Sequence, residues 1–232
     1  MATYQNFSIS KKQGKFYLKE KQPTEGYQEV TYGEGKKTYH KYFDTVQGMP
    51  TYFGTKEIEY QGRPLKFLEL TLEDGDIINK ISAPLKNRGG YTDEVKALVS
   101  ALVGYDMGEP VSIAPKTNSY TTKAGKEGES LNVYINYQNR KNEDGKNAST
   151  GYINFDQVPS PTSSVVAGDK VWDWTPQTQF YYDKIQEIEE KFKNGTTSVP
   201  STPQANKPLP KVEPQNAFPG LDNEDDSGEL PF

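Results

Sequence analysis

Apolar and polar residues alternate in short runs through much of this chain, the two-residue period of strands, and a longer helical period shows in only two places. Residues 4–9, 15–19 and 27–32 are aromatic-rich runs punctuated by Gly14, Pro23 and Gly26, which predicts a small meander. After Gly33 and Gly35 come residues 37–46, a break at Gly48 and Pro50, Tyr52 and Phe53, residues 56–60, a turn at Gly62, and residues 65–72. The turn Glu73-Asp74-Gly75-Asp76 joins that last run to residues 77–82 as a hairpin.

The first helical period begins after Thr92, a suitable N-cap, with Asp93 and Glu94 favourable in the first turn. Val95, Leu98, Val99, Leu102 and Val103 form its apolar stripe, and Gly104 ends it. Strands resume at residues 111–114 and at 131–137, where Leu131, Val133, Ile135 and Tyr137 alternate with polar partners, and residues 151–155 read as one more. A second helix over residues 178–193 places Tyr181, Ile185, Ile188 and Phe192 on one face.

Counted from Lys37, the order is three strands, a helix and two strands, which is the order of an OB barrel. The expected fold is therefore mainly β: a five-stranded OB-fold barrel with N-terminal extra strands in residues 1–35. It has one helix between strands 3 and 4 and a C-terminal helix. Residues 116–129 form a long connection before the last strand, of the kind OB folds use to clamp single strands.

Composition divides the chain. Residues 195–220 are rich in Pro, Ser, Thr, Asn and Gln and cannot bury enough apolar surface to offset ordering, so they read as a disordered linker after a folded domain of residues 1–194. Residues 221–232 form an acidic tip carrying Asp222, Glu224, Asp225, Asp226 and Glu229 with no base. The net charge of −5 resides there, leaving 27 acids to balance 27 bases in the rest. A neutral body with basic faces still attracts phosphate, because attraction follows the local field.

The 232 residues include no cysteine, which excludes disulfides, thiolate metal sites and cysteine catalysis. The N-terminus lacks an apolar signal core and no run is long enough to span a membrane, so a cytoplasmic location is expected. His40 is the only histidine, which argues against His-rich metal sites and Ser-His-Asp catalysis. Residues 33–38 lack the first glycine of a phosphate loop at its required spacing. Asp74 and Asp76 suit a turn, and the tip lacks the glycine and spacing of a calcium loop. No enzyme activity and no cofactor are expected.

Binding is what the pattern favours. Lysines and aromatic rings interleave, and single strands are held by cations on phosphates and rings stacked on bases. The candidate contacts are Lys37, Tyr39, Lys41 and Phe43, which share one face of an alternating strand, then Tyr52, Phe53, Lys56, Tyr60 and Arg63. The connection over residues 116–129 adds Lys116, Tyr120 and Lys123.

The tip carries a second signal. Leu230, Pro231 and Phe232 are bulky apolar residues after a solvated acidic stretch, where they have no folding role. They suit a short linear motif, with a ring for a pocket and acids for its basic surround. Together with the linker, Asp225, Asp226, Leu230, Pro231 and Phe232 resemble the bacterial and phage single-stranded DNA-binding protein family, in which an OB domain is joined to an acidic tip ending Pro-Phe. That resemblance implies a phage-type member that coats single-stranded DNA in replication, recombination and repair. It also implies that the tip docks partner proteins such as a polymerase, helicase or primase. The body is Tyr-rich rather than Trp-rich and departs from the usual bacterial pattern. Two other classes fit parts of the pattern: a β-rich phage virion or assembly protein without nucleic-acid binding, and an adaptor that uses the tip against host repair proteins.

Overall fold

The computed structural model describes residues 2–33, 35–60, 63–87, 90–121, 125–166 and 169–195. Seven strands come first: β1 Thr3–Ser10, β2 Lys15–Glu20, β3 Gln28–Tyr32, β4 Lys36–Phe43, β5 Val46–Tyr60, β6 Arg63–Asp74 and β7 Ile77–Pro84. A short pair, β8 Lys86–Asn87 and β9 Gly90–Tyr91, precedes helix α1, Asp93–Leu102. Strands β10 Val111–Thr121, β11 Glu127–Lys141 and β12 Asn147–Ser149 follow, then the hairpin of β13 Thr162–Val166 with β14 Asp169–Asp173, and helix α2 Thr175–Gly195.

The fold is mainly β. Ten strands form one mixed sheet in the order β12-β11-β10-β5-β6-β7-β1-β2-β4-β3, and the sheet is not closed into a barrel. Its described pairings are antiparallel except β1 beside β7, with Asn6 opposite Lys80 and Phe7 opposite Ile81. Residues 1–35, expected as an extension, thus contribute β1 and β2 to the middle of the sheet. The fifth strand of the expected order, β11, pairs with β10 and β12 rather than returning to the meander.

The sheet curls. Its turn between β1 and β2 reaches β10, where Thr117 Oγ1 donates to the Lys11 carbonyl and Gly14 lies against the Thr117 backbone. Gly14 has φ +58°, and a Cβ there would meet Thr117 N at 2.6 Å, so both conformation and space require glycine. Inside the curl lie Phe7, Phe16, Leu68, Leu70, Leu72, Ile81, Ile113 and Ile135, all buried. Strand periodicity puts these on one face, because successive side chains alternate.

Helix α1 fills the curl as its stripe predicts, burying Val95, Leu98, Val99 and Leu102. Thr92 Oγ1 accepts from Val95 N as the N-cap, and Lys11 Nζ lies 2.6 Å from Asp93 in the first turn. The four expected residues of α2 are buried against β5, β9 and α1. Glu189 of α2 accepts the Thr55 amide at 3.1 Å, so the helix covers part of an edge of β5 that β10 leaves after Gly48.

Three expectations change. The break at Gly48 and Pro50 is absorbed within a single β5, through Gly48 at φ +145° and a register shift between Pro50 and Tyr52. The connection expected over residues 116–129 is largely a two-stranded ribbon, with β10 and β11 paired out to Thr121 opposite Glu127. Residues 151–155 hold only a bridge from Gly151 to Gly104 and the start of a 3-10 turn, Phe155–Gln157.

Candidate nucleic-acid interface

One face of the curled sheet is core and the other faces outward, so each candidate residue is placed by the face its strand gives it. In β4 the expected face is the inner one, but it joins the core only at Phe43: Lys37 and Lys41 are exposed, and Thr38 on the other face is buried. Phe43 is half-buried against the core, with its ring 5.3 Å from Phe7 at a right angle. Lys41 Nζ stands 5.5 Å from that ring. Further along, Lys37 Nζ lies 3.0 Å from Glu29, whose hydrogen bond and charge raise the lysine pKa. The Tyr39 hydroxyl donates to Glu29 at 3.4 Å. Ring and charge are therefore already engaged along this row.

Strand β5 is divided between the faces by its bulge. Phe53 is core, 5.8 Å from the Phe192 ring. Tyr52 points outward, opposite Thr71, and is 44% exposed. Its ring is laid over Gly54, where a Cβ would meet the Tyr52 hydroxyl at 2.7 Å. Burial, then the charges of Glu69 and Glu189, raise its phenol pKa. Lys56 Nζ lies 3.9 Å from Glu69 and Lys80 Nζ 3.6 Å from the same carboxylate. Lys80 also stands 5.8 Å from the ring of Tyr4, which is 61% exposed. The register aligns Tyr52, Thr71, Lys80 and Asn6 across β5, β6, β7 and β1. Arg63 is exposed at the start of β6, opposite the backbone of Tyr60.

The β10–β11 ribbon repeats the theme. Lys116 is exposed, with its Nζ 5.6 Å from the Tyr134 ring on the outward side. Tyr120 lies over Gly128, where a Cβ would meet ring atoms at 2.6–2.9 Å. Lys123, and Asp225, Asp226, Leu230, Pro231 and Phe232, lie outside the described residues.

The sequence reading left Tyr4 and Lys80 out of the interface, together with the outward row of β2, β3 and β4. In that row Tyr17 stacks on His40 at 4.4 Å between centroids, and Lys19 Nζ stands 5.3 Å from the Tyr32 ring. Interleaving in β2 and β3 was a usable signal; the pairing of β1 with β7 that brings Lys80 beside Tyr4 was not.

Burial, and after it the charge of Lys19, holds His40 below its ordinary 6.5. Between the folded and unfolded values the unfolded chain binds the extra proton, so stability rises with pH there. This contribution is complete above about pH 6.5 and is lost as pH falls through the folded value. Urea melts at about pH 7.5 and about pH 5.5 are expected to show the wild-type chain weakening on acidification and His40→Phe weakening less. Equal losses would assign the titration to another group.

Among the described residues no cluster of three or more His, Asp or Glu side chains is placed to hold a metal ion, and no helix is long and apolar enough to cross a membrane. On the outward face cations sit at intervals between rings, and two of those rings are seated on glycine. No family model, no curated protein and no solved structure matches this chain.

Proposed function

We propose that this chain binds single-stranded DNA with little sequence preference, and that its acidic C-terminal stretch recruits other proteins. The observation that carries the reading is the outward face, where Tyr52 over Gly54, Tyr120 over Gly128, and Tyr4 beside Lys80 alternate with Lys56 and Lys116. Rings of this kind stack on any base, at about 1–3 kcal/mol each, while lysines follow the phosphates.

Strand order supports the same reading. β5, β6 and β7 form a meander, α1 follows, and β10 returns antiparallel onto β5. This order is compatible with the first four strands and the helix of an OB-like arrangement, in which β1 would occupy the fifth place beside β7. The β10–β11 ribbon would then clamp the strand as OB loops do. The resemblance of the tip to that of single-stranded DNA-binding proteins supports the recruiting role of Asp225, Asp226, Leu230, Pro231 and Phe232 and a place in replication, recombination or repair.

Fluorescence anisotropy of labelled oligo-dT tests the proposal. Binding is expected at low salt, weakening about tenfold between 50 and 200 mM if two or three phosphates are neutralised, since each contributes roughly 0.7 to the logarithmic slope. Deleting Leu230, Pro231 and Phe232 is expected to leave or raise this affinity while abolishing capture of replication proteins. No anisotropy change at low salt would overturn DNA binding and leave the virion-protein reading in its place.

A further inference from the structure

Strands β2, β4 and β3 end the sheet beyond β1, and their outward face is built differently from their inward one. Tyr17 lies opposite Tyr42, Lys19 opposite His40, His40 opposite Gln28, and Lys36 opposite Tyr32. The rings of Tyr17 and His40 are near-parallel, 20° apart, and Tyr42 stands 6.2 Å from Tyr17 and 6.0 Å from His40. The imidazole is held from both sides: Nε2 is 3.1 Å from Thr38 Oγ1 and Nδ1 is 3.4 Å from the Tyr42 hydroxyl. A ring fixed at both nitrogens presents a face whose position is set before anything binds.

Charge is sorted by face as well. Glu20 and Glu29, the carboxylates of these three strands, both lie opposite Tyr39 on the inward side. Lys15, Lys19 and Lys36 are all outward, and Asp44, just past β4, lies 3.1 Å from Lys15 Nζ. Cross-strand aromatic pairing stabilises a sheet by roughly 0.2–1 kcal/mol per pair, but it gives no reason to move every strand carboxylate to the other side. The face is also poor in aliphatic side chains, with Val30 the one in these strands, so an apolar helix or sheet would find little to bury against. Planar, anionic ligands fit both properties.

We propose that Tyr17, His40 and Tyr42 form a second base-stacking subsite, with Lys19 and Lys36 on the phosphates, for a single strand continuing from the face of β5, β6, β7 and β1. This rests on the DNA-binding reading above and extends it. From β5 to β3 there are six strand spacings, about 29 Å at roughly 4.8 Å each, so a strand crossing both subsites must be longer than either needs alone.

Labelled oligo-dT of about 20 nucleotides, a length exceeding one OB fold's usual site, is the probe. Wild-type protein is compared with Tyr17→Thr/Tyr42→Thr, Tyr17→Phe/Tyr42→Phe and Lys36→Ala. Loss of two stacking rings should weaken binding tenfold or more, whereas the phenylalanine pair keeps its rings and gives up only the Tyr42 hydroxyl's hold on His40, so its loss should be distinctly smaller. Lys36→Ala, at an exposed position, should leave the fold intact and lower the logarithmic salt slope by about 0.7. Wild-type affinity in both the threonine pair and Lys36→Ala would overturn the second subsite while leaving DNA binding intact. Equal losses in the threonine and phenylalanine pairs would overturn it too, since hydroxyls rather than rings would then be at work. Failure of the wild-type protein itself to bind would instead remove the underlying reading.

Discussion

Lys56→Ala combined with Lys80→Ala is expected to weaken oligo-dT binding about a hundredfold at low salt. Each lysine lost from a phosphate removes a charge-assisted contact of about 1.5–3 kcal/mol, and two such losses exceed two decades in the binding constant. The salt slope should fall by about 1.4, because two fewer counterions are released. Both lysines also flank Glu69, whose side chain is only 12% exposed. Without them that carboxylate stands unpaired in the path of the strand, adding repulsion and a cost to folding. The triple variant that adds Glu69→Gln separates the two effects. It should recover thermal stability but not affinity, as read by melting and by anisotropy. Recovered binding would mean that the lysines serve only to offset Glu69.

Folding carries the other large effect. Phe16→Ala is expected to cost about 3–5 kcal/mol, on the order of 10 °C in Tm, because the side chain is fully buried and leaves a cavity. Phe16 lies opposite both Ile9 and Phe43 and joins β1 and β4 to the core. A domain of this size has only about 5–15 kcal/mol to lose. Removing residues 1–35 altogether should abolish cooperative melting, since β7 would lose its parallel neighbour and the core its Phe7 and Phe16. A truncated chain that melted like the whole one would show these strands to be the appendage that sequence reading suggested.

That difference shows what the sequence carries and what it does not. Local signals were sufficient for α1, whose Thr92 cap and apolar stripe are both realised, and for the buried face of α2. Most strands of the first half were legible from alternation. Neighbour relations were not, because nothing in the local period of residues 4–9 marks a partner more than seventy positions away. Alternation in β4 likewise separates two faces without saying which is buried. The decision comes from Phe7 and Phe16 in other strands, and it draws Phe43 inward. The β10–β11 ribbon has the sequence of a loop because its outer half is polar on both faces, with Ser, Asn, Thr and Glu in place of apolar residues. Within the candidate site, Tyr52 over Gly54 is a same-strand pair two residues apart and could be found by inspection. Tyr120 over Gly128 needs the register of two strands, and so it could not.

Among the described residues the β13–β14 hairpin pairs with no other strand, and the chain's two tryptophans sit in it and just beyond it, Trp172 beneath Lys170 and Trp174 beside Lys96. Emission from Trp172 therefore watches this hairpin, Trp174 the junction of α1 and α2, and neither lies in the interior, where phenylalanine and tyrosine supply the rings. An isolated pair of strands is marginal in water, so this hairpin can open before the rest. Denaturation followed by indole light and by far-ultraviolet dichroism would then give two separate curves from a body that is itself cooperative, and only the dichroism midpoint would measure its stability.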